Sequence, residues 1–164
     1  MASAIFLFKY NYITNQNFDY NLIMSEKLTL IPVEIGQSLE LPLISEIRAG
    51  FPSPAEDFQD QSIDLNKEFV RNPSSTFYAR VKGNSMKDAN IEEGDLLIID
   101  KSIEPSNGKI AVCYIDGEFT VKRIKIEPDG CLLVPANSDF NPIKVTAEND
   151  FLIWGIVIHI IKTV

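Results

Sequence analysis

From residue 76 onward the sequence is a series of short strand-like segments separated by turn residues, and this texture constrains the fold more than any other feature. Phe77-Tyr78-Ala79-Arg80-Val81 alternates, Asp95-Leu96-Leu97-Ile98-Ile99-Asp100 is an apolar run, and Lys109-Ile110-Ala111-Val112-Cys113-Tyr114-Ile115 is another. Asp116-Gly117 is a hairpin signal, because a two-residue turn between strands favours residues that tolerate positive φ. Residues 118–126 then pair back, and Cys131-Leu132-Leu133-Val134-Pro135 and residues 151–161 complete the set. Short strands at close spacing with Gly, Asn and Pro between them predict a mainly β, partly barrel-like domain from about residue 75. At 164 residues and 45% hydrophobic, the chain can bury a real core.

The upstream part reads differently. Residues 1–23 are rich in Asn, Tyr, Phe and Ile with little charge. Lys9 follows the short apolar run at residues 4–8 rather than preceding it, which argues against a signal peptide. These residues are expected to be an upstream or dispensable tail, with Met24 as the working start. Residues 24–49 form an N-terminal arm with a short strand at Leu28-Thr29-Leu30-Ile31-Pro32-Val33, its alternation broken by proline. Residues 50–74 read as an extended and short-helical connector. Arg48-Ala49-Gly50-Phe51-Pro52-Ser53-Pro54 places small residues before two prolines, so the chain there should be extended and accessible. Ser53-Pro54-Ala55-Glu56-Asp57-Phe58 carries the signals of a helix start, and Asp64-Leu65-Asn66-Lys67-Glu68-Phe69-Val70 predicts a second short helix that stops before Asn72-Pro73.

Charge and cysteine content narrow the function classes. The net charge of −8 sets the overall field against a phosphate backbone, so protein partners are favoured over sequence-specific DNA binding. Cys113 and Cys131 are too few and too unpatterned for a disulfide scaffold or a zinc site and read as core thiols of a reducing, cytoplasmic protein. No apolar run approaches the ~18 residues that would span a bilayer. The single histidine, His159, reads as a structural residue; neither a metal nor a cofactor is expected.

Gly83-Asn84-Ser85-Met86 and Phe119-Thr120-Val121-Lys122-Arg123 are the segments that could carry chemistry. A serine in a tight glycine-containing turn becomes a nucleophile only when a base reaches it, and one histidine near the C-terminus offers little for a Ser-His-Asp arrangement. A lysine in a packed strand is the other source. Burial disfavours the ammonium, and a neutral amine can accept the serine proton. Alternation puts Lys122 on one strand face with Thr120 and Ile124. By pattern alone, Ser85 also fits a plain turn serine, and Lys122, Arg123 and Lys125 a solvated basic edge.

Gly83-Asn84-Ser85-Met86, Gly94-Asp95-Leu96-Leu97-Ile98-Ile99-Asp100 and Asp116-Gly117-Glu118-Phe119-Thr120-Val121-Lys122-Arg123 together resemble the LexA-type self-cleaving serine peptidases. Within that family, residues 50–66 resemble the UmuD-type mutagenesis proteins of the bacterial DNA-damage response. The resemblance covers about residue 31 to the C-terminus and leaves residues 1–23 without a counterpart. It implies a LexA-type peptidase domain with an extended N-terminal arm, Ser85 as nucleophile and Lys122 as its base. It also implies an oxyanion site at the backbone N–H groups of Ser85 and Met86, and a self-cleaved bond between Ala49 and Gly50.

It further implies a homodimer, stimulation by a RecA filament on single-stranded DNA, and a translesion polymerase catalytic subunit as partner of the trimmed form. A product starting at Gly50 has 115 residues with 12 basic and 18 acidic side chains, so it stays acidic, as suits a protein-binding role. The apolar residues 151–161 give dimerisation weak physical support. Three rivals are a LexA-like repressor, a signal peptidase and a noncatalytic β-rich binding module. The first is disfavoured by the proline-interrupted, base-poor first 49 residues, and the second by the want of a membrane anchor.

Overall fold

A computed structural model describes residues 28–32, 36, 38–43, 61–128 and 130–164. The tail at residues 1–23, the helix expected at residues 53–58 and the Ala49-Gly50 bond lie outside the described residues. Ten strands are present among them: β1 (Leu28–Pro32), β2 (Leu41–Leu43), β3 (Gln61–Ile63), β4 (Thr76–Val81), β5 (Leu96–Asp100), β6 (Ile110–Ile115), β7 (Glu118–Glu127), β8 (Gly130–Val134), β9 (Ile143–Val145) and β10 (Phe151–Ile161). One short helix, α1, spans Leu65–Phe69.

Eight strands form one antiparallel sheet in the order β1-β4-β5-β10-β6-β7-β8-β9, and β2 and β3 form a separate antiparallel pair. The mainly β reading is met. Asp116 and Gly117 have φ of 48° and 92°, the mirror-image turn that matches the twist of the β6–β7 hairpin. Asp64 caps α1 by accepting a hydrogen bond from the Asn66 N–H at 2.9 Å. Val70 ends that helix, and a 3-10 turn at Pro73–Ser75 follows.

The large sheet reaches further upstream than residue 75. β1 pairs with β4 over five registered positions, Leu28 opposite Val81 through Pro32 opposite Phe77. It occupies the edge of the sheet, where a proline removes no needed ladder bond. Residues 38–43 also lie on downstream chain. Leu41–Leu43 pairs with Gln61–Ile63, Ser38 Oγ donates to Asp64 Oδ2 at 2.6 Å, and Lys67 Nζ donates to Glu40 Oε1 at 3.3 Å.

The central strands bury both faces. Val112 of β6 joins a cluster with Phe77, Ala79, Leu97, Ile99, Phe119, Val121 and Trp154, while its neighbours Ala111 and Cys113 join another with Ile124, Cys131, Leu133, Val145, Ile153 and Ile156. This is why β5 and β6 read as continuous apolar runs rather than as alternating ones. β10 serves β6 and β5 at once, with register shifts between Ile153 and Gly155 on the β6 side and between Val157 and His159 on the β5 side. Gly155 meets β5 closely. A Cβ there would stand 2.7 Å from Ile99 Cγ2.

Both cysteines are buried free thiols. Burial pushes the Cys113 thiol far above its ordinary range and the Cys131 thiol to about 11, so both stay protonated at neutral pH. His159 is exposed and sets its ring edge-on to Phe69, with centroids 4.8 Å apart. The far end of β10 leaves Ile160 and Ile161 exposed.

Candidate active site

Lys122 and Ser85 meet, although 37 positions separate them: Lys122 Nζ lies 2.8 Å from Ser85 Oγ. The lysine comes from the middle of β7, where it stands opposite Ala111 of β6. Only 6% of it is exposed, whereas Arg123 and Lys125 on the same strand are in solvent. The basic-edge alternative therefore fits those two cations but not Lys122. Nζ also lies 2.7 Å from Thr120 Oγ1 and 3.0 Å from the Val121 carbonyl oxygen.

Three acceptors around one nitrogen have a chemical consequence. As an ammonium, Nζ donates to all three oxygens. With one proton lost, it can donate to Thr120 and Val121 while its lone pair faces the Ser85 hydroxyl. The serine Oγ is then placed to give up its proton along a bond already formed.

Ser85 owes its position to a loop between β4 and β5. The loop is pinched at its ends, with the Val81 N–H donating to the Asp95 carbonyl at 2.9 Å and the Gly94 N–H to the Val81 carbonyl at 2.9 Å. Gly83, with φ of 92°, makes the turn that starts the approach to Ser85, and its N–H donates to Glu93 Oε2 at 3.3 Å. Met86, 2% exposed, anchors the far side in the core, and its carbonyl accepts from Ala89 and Ile91.

A second segment grips the same turn from outside. The Ala136 N–H donates to the Ser85 carbonyl at 3.0 Å, and Asn137 Nδ2 donates to the Asn84 carbonyl at 2.9 Å. Asn137 is buried, and its Oδ1 accepts from the Asp139 N–H, which fixes the amide orientation. With the carbonyls of Asn84 and Ser85 thus drawn outward, no acceptor among the described residues takes the N–H of Ser85 or Met86.

The pair opens onto a cleft of 570 Å³ lined by residues 81–86 and 118–122 and, across from them, Phe140, Asn141 and Ile143. Phe140 and Ile143 are exposed apolar side chains at this rim. Among the described residues no group of three or more His, Cys, Asp or Glu side chains could hold a metal ion. Sequence reasoning brought Ser85, Met86 and Lys122 to one place. It put Thr120 on the strand face of Lys122, where Thr120 Oγ1 meets Nζ, without giving it a role. It missed Ala136 and Asn137, which no local pattern marks.

The Peptidase S24-like family model matches residues 42–158. This chain belongs to the Peptidase S24-like family. "Protein MucA" of Salmonella typhimurium is 44% identical over 117 residues, covering 71% of this chain and 80% of that protein. "Protein SamA" of Salmonella typhimurium strain LT2 is 42% identical over 118 residues, 71% of this chain and 81% of that one. "LexA repressor" of Xylella fastidiosa is 36% identical over 124 residues, 76% of this chain and 58% of the repressor. The UmuD-like resemblance within the LexA-type family is met by these relatives of the S24-like chain. No described helix is long and apolar enough to cross a membrane.

Proposed function

We propose that this S24-like chain is a self-cleaving serine peptidase that cuts its own Ala49-Gly50 bond. The observation that carries the reading is the 2.8 Å approach of a buried lysine amine to Ser85 Oγ in an open cleft. Ser85 Oγ attacks the Ala49 carbonyl carbon as Lys122 Nζ takes the hydroxyl proton. The N–H groups of Ser85 and Met86 receive the developing oxyanion. Collapse of the tetrahedral intermediate expels the Gly50 amine, which takes the proton back from Nζ. Water then frees the acyl group from Ser85. Tethering gives the bond a high effective concentration, so a slow dyad suffices for a reaction each chain performs once.

The biological output in this reading is binding. The trimmed form works as a cytoplasmic homodimer and accessory subunit of an error-prone translesion DNA polymerase, after a RecA filament on single-stranded DNA has stimulated cleavage. The arm is residues 24–49, the connector 50–74 and the peptidase-like body 75–164. Support comes from the UmuD-like relatives and from an acidic product that suits protein partners.

Intact-mass measurement of purified protein tests this directly. A fragment beginning at Gly50 should appear, faster as pH rises, in the parent and in neither Ser85→Ala nor Lys122→Ala. Its absence at alkaline pH with RecA filament present, or its persistence in Ser85→Ala, overturns the reading.

A further inference from the structure

Lys162, just beyond β10, fastens the return limb of the loop that carries Ser85. Its Nζ donates to the Asn90 carbonyl at 3.2 Å, to Glu92 Oε2 at 3.0 Å and to Asp95 Oδ2 at 2.9 Å. These acceptors span the stretch between the 3-10 turn Lys87–Ala89 and the start of β5. The limb is tied in turn to the rest of the loop. The Asn90 N–H donates to the Lys87 carbonyl and the Ile91 N–H to the Met86 carbonyl, while the Asp95 carbonyl closes the loop on Val81. Asp95 Oδ2 also accepts from the Glu92 N–H at 2.8 Å, so the carboxylate that meets Lys162 organises the limb itself.

We infer that Lys162 is a positioning residue for Ser85, acting through the 90–95 limb in the way that Ala136 and Asn137 act from the other side. This rests on the reading of Ser85 as nucleophile given above. The placement is set by the sheet. Ile161 stands opposite Leu96, so the next residue on β10 falls beside Asp95, the residue before Leu96. The charges in the clasp are one cation and two carboxylates. Lys162 is held above the ordinary lysine range, chiefly by its hydrogen bond to Asp95, so the cation of the clasp persists through neutral pH. Lys162 is partly exposed, and its pairs are open to screening by salt.

The test compares Lys162→Met and Lys162→Arg with the parent. Two rates are read in protein whose melting temperature, followed by Trp154 fluorescence, lies well above the assay temperature. One is first-order release of the Gly50 fragment. The other is modification of Ser85 by a small fluorophosphonate, in which the Oγ–phosphorus bond forms as fluoride leaves and the serine proton passes to the base. Both should fall by roughly tenfold in Lys162→Met and return to within about twofold in Lys162→Arg, as expected for a displaced nucleophile. Parent rates should drop toward the methionine variant's in molar salt. Equal rates in folded parent and Lys162→Met overturn the inference. So does a loss of stability with no change in either rate. Should the methionine variant not fold, Glu92→Gln and the salt series decide the matter by the same two rates, and unchanged rates in both overturn it. A parent that is never cut, or that is cut equally in Ser85→Ala, defeats instead the proposed function.

Discussion

Lys122 and Ser85 lie 2.8 Å apart, yet different kinds of structure hold them there. Lys122 belongs to the ladder. Its backbone pairs with Ala111 of β6, the β8 pairing begins at the next residue, Arg123, and a displacement of β7 would break both sets of pairings. Ser85 belongs to the loop at residues 82–95, whose place depends on a handful of individual hydrogen bonds: Ala136, Asn137 and Lys162 donate to it, and Glu93 within it accepts from Gly83. Lys122 is therefore as firmly placed as the fold, and Ser85 is only as well placed as its clamps.

The comparison can be broken at either end, and the largest effect should come from the base. Lys122→Met removes the proton acceptor while keeping an apolar stem of similar length. Self-cleavage should fall by about 10²- to 10⁴-fold, the usual worth of a positioned general base, while circular dichroism remains that of the parent. Next comes the frame. Gly155→Ala forces a Cβ to within 2.7 Å of Ile99 Cγ2 on β5, and overpacking of this kind costs about 1–3 kcal/mol, to be read from urea unfolding. If cleavage per folded molecule also collapsed in that variant, the ladder would not be as independent of the loop as the comparison holds.

Asn137→Ala should sharpen the contrast from the loop side. It leaves the Asn84 carbonyl with the Lys87 N–H as its remaining donor, at a cost of about 0.5–1.5 kcal/mol in stability. Cleavage should fall by roughly tenfold through a shifted Ser85, with no change in the pH at which the rate rises, since Lys122 is untouched. A shifted pH midpoint would show that the loop clamps also tune the base.

The smallest effect concerns acid. Burial pushes the Asp95 carboxyl up, but hydrogen bonds from the Glu92 N–H and Lys162 outweigh it and hold the group below the ordinary carboxylate range. Asp100 follows the same pattern, with burial opposed by donors on Ser102, Ser75 and Asn72. Because both folded values lie below the unfolded ones near 3.9, the unfolded chain binds more protons as pH falls. Their contribution is complete above that ordinary value and is lost as pH drops through the lowered ones. Urea midpoints measured from pH 6 down to 3 should decline accordingly, and Lys162→Met should flatten the Asp95 share.

Much of this arrangement was legible in the sequence where local rules decide the structure. Asp116-Gly117 announces its hairpin because few other residues take positive φ twice, and Asp64 announces its helix by the cap it makes. The alternation on β7 correctly put Thr120 with Lys122. What local rules could not supply was anything that depends on a distant partner. Asn137 serves Asn84 across 53 positions, and nothing in Pro135-Ala136-Asn137 signals it. β9 is three residues long, too short to alternate, and β2 contains a proline. The two register shifts in β10 arise from serving two neighbours at once, which a one-dimensional pattern does not record. The pairing of Ser85 with Lys122 came through family resemblance; each residue alone also fitted a bland role.

The β1 and β2 ladders have a thermodynamic side. Residues 28–32 and 38–43 pair with chain that lies beyond residue 60, so a cut anywhere between 44 and 60 leaves both ladders bridging two separate polypeptides. At that moment a contact within one molecule becomes an equilibrium between two. The local concentration that a short tether maintains, of millimolar order, is replaced by whatever the surrounding solution supplies. The fragment would then leave by dilution, at a rate set by fraying of an edge strand, and the time between scission and departure would be a property of the sheet rather than of the peptidase.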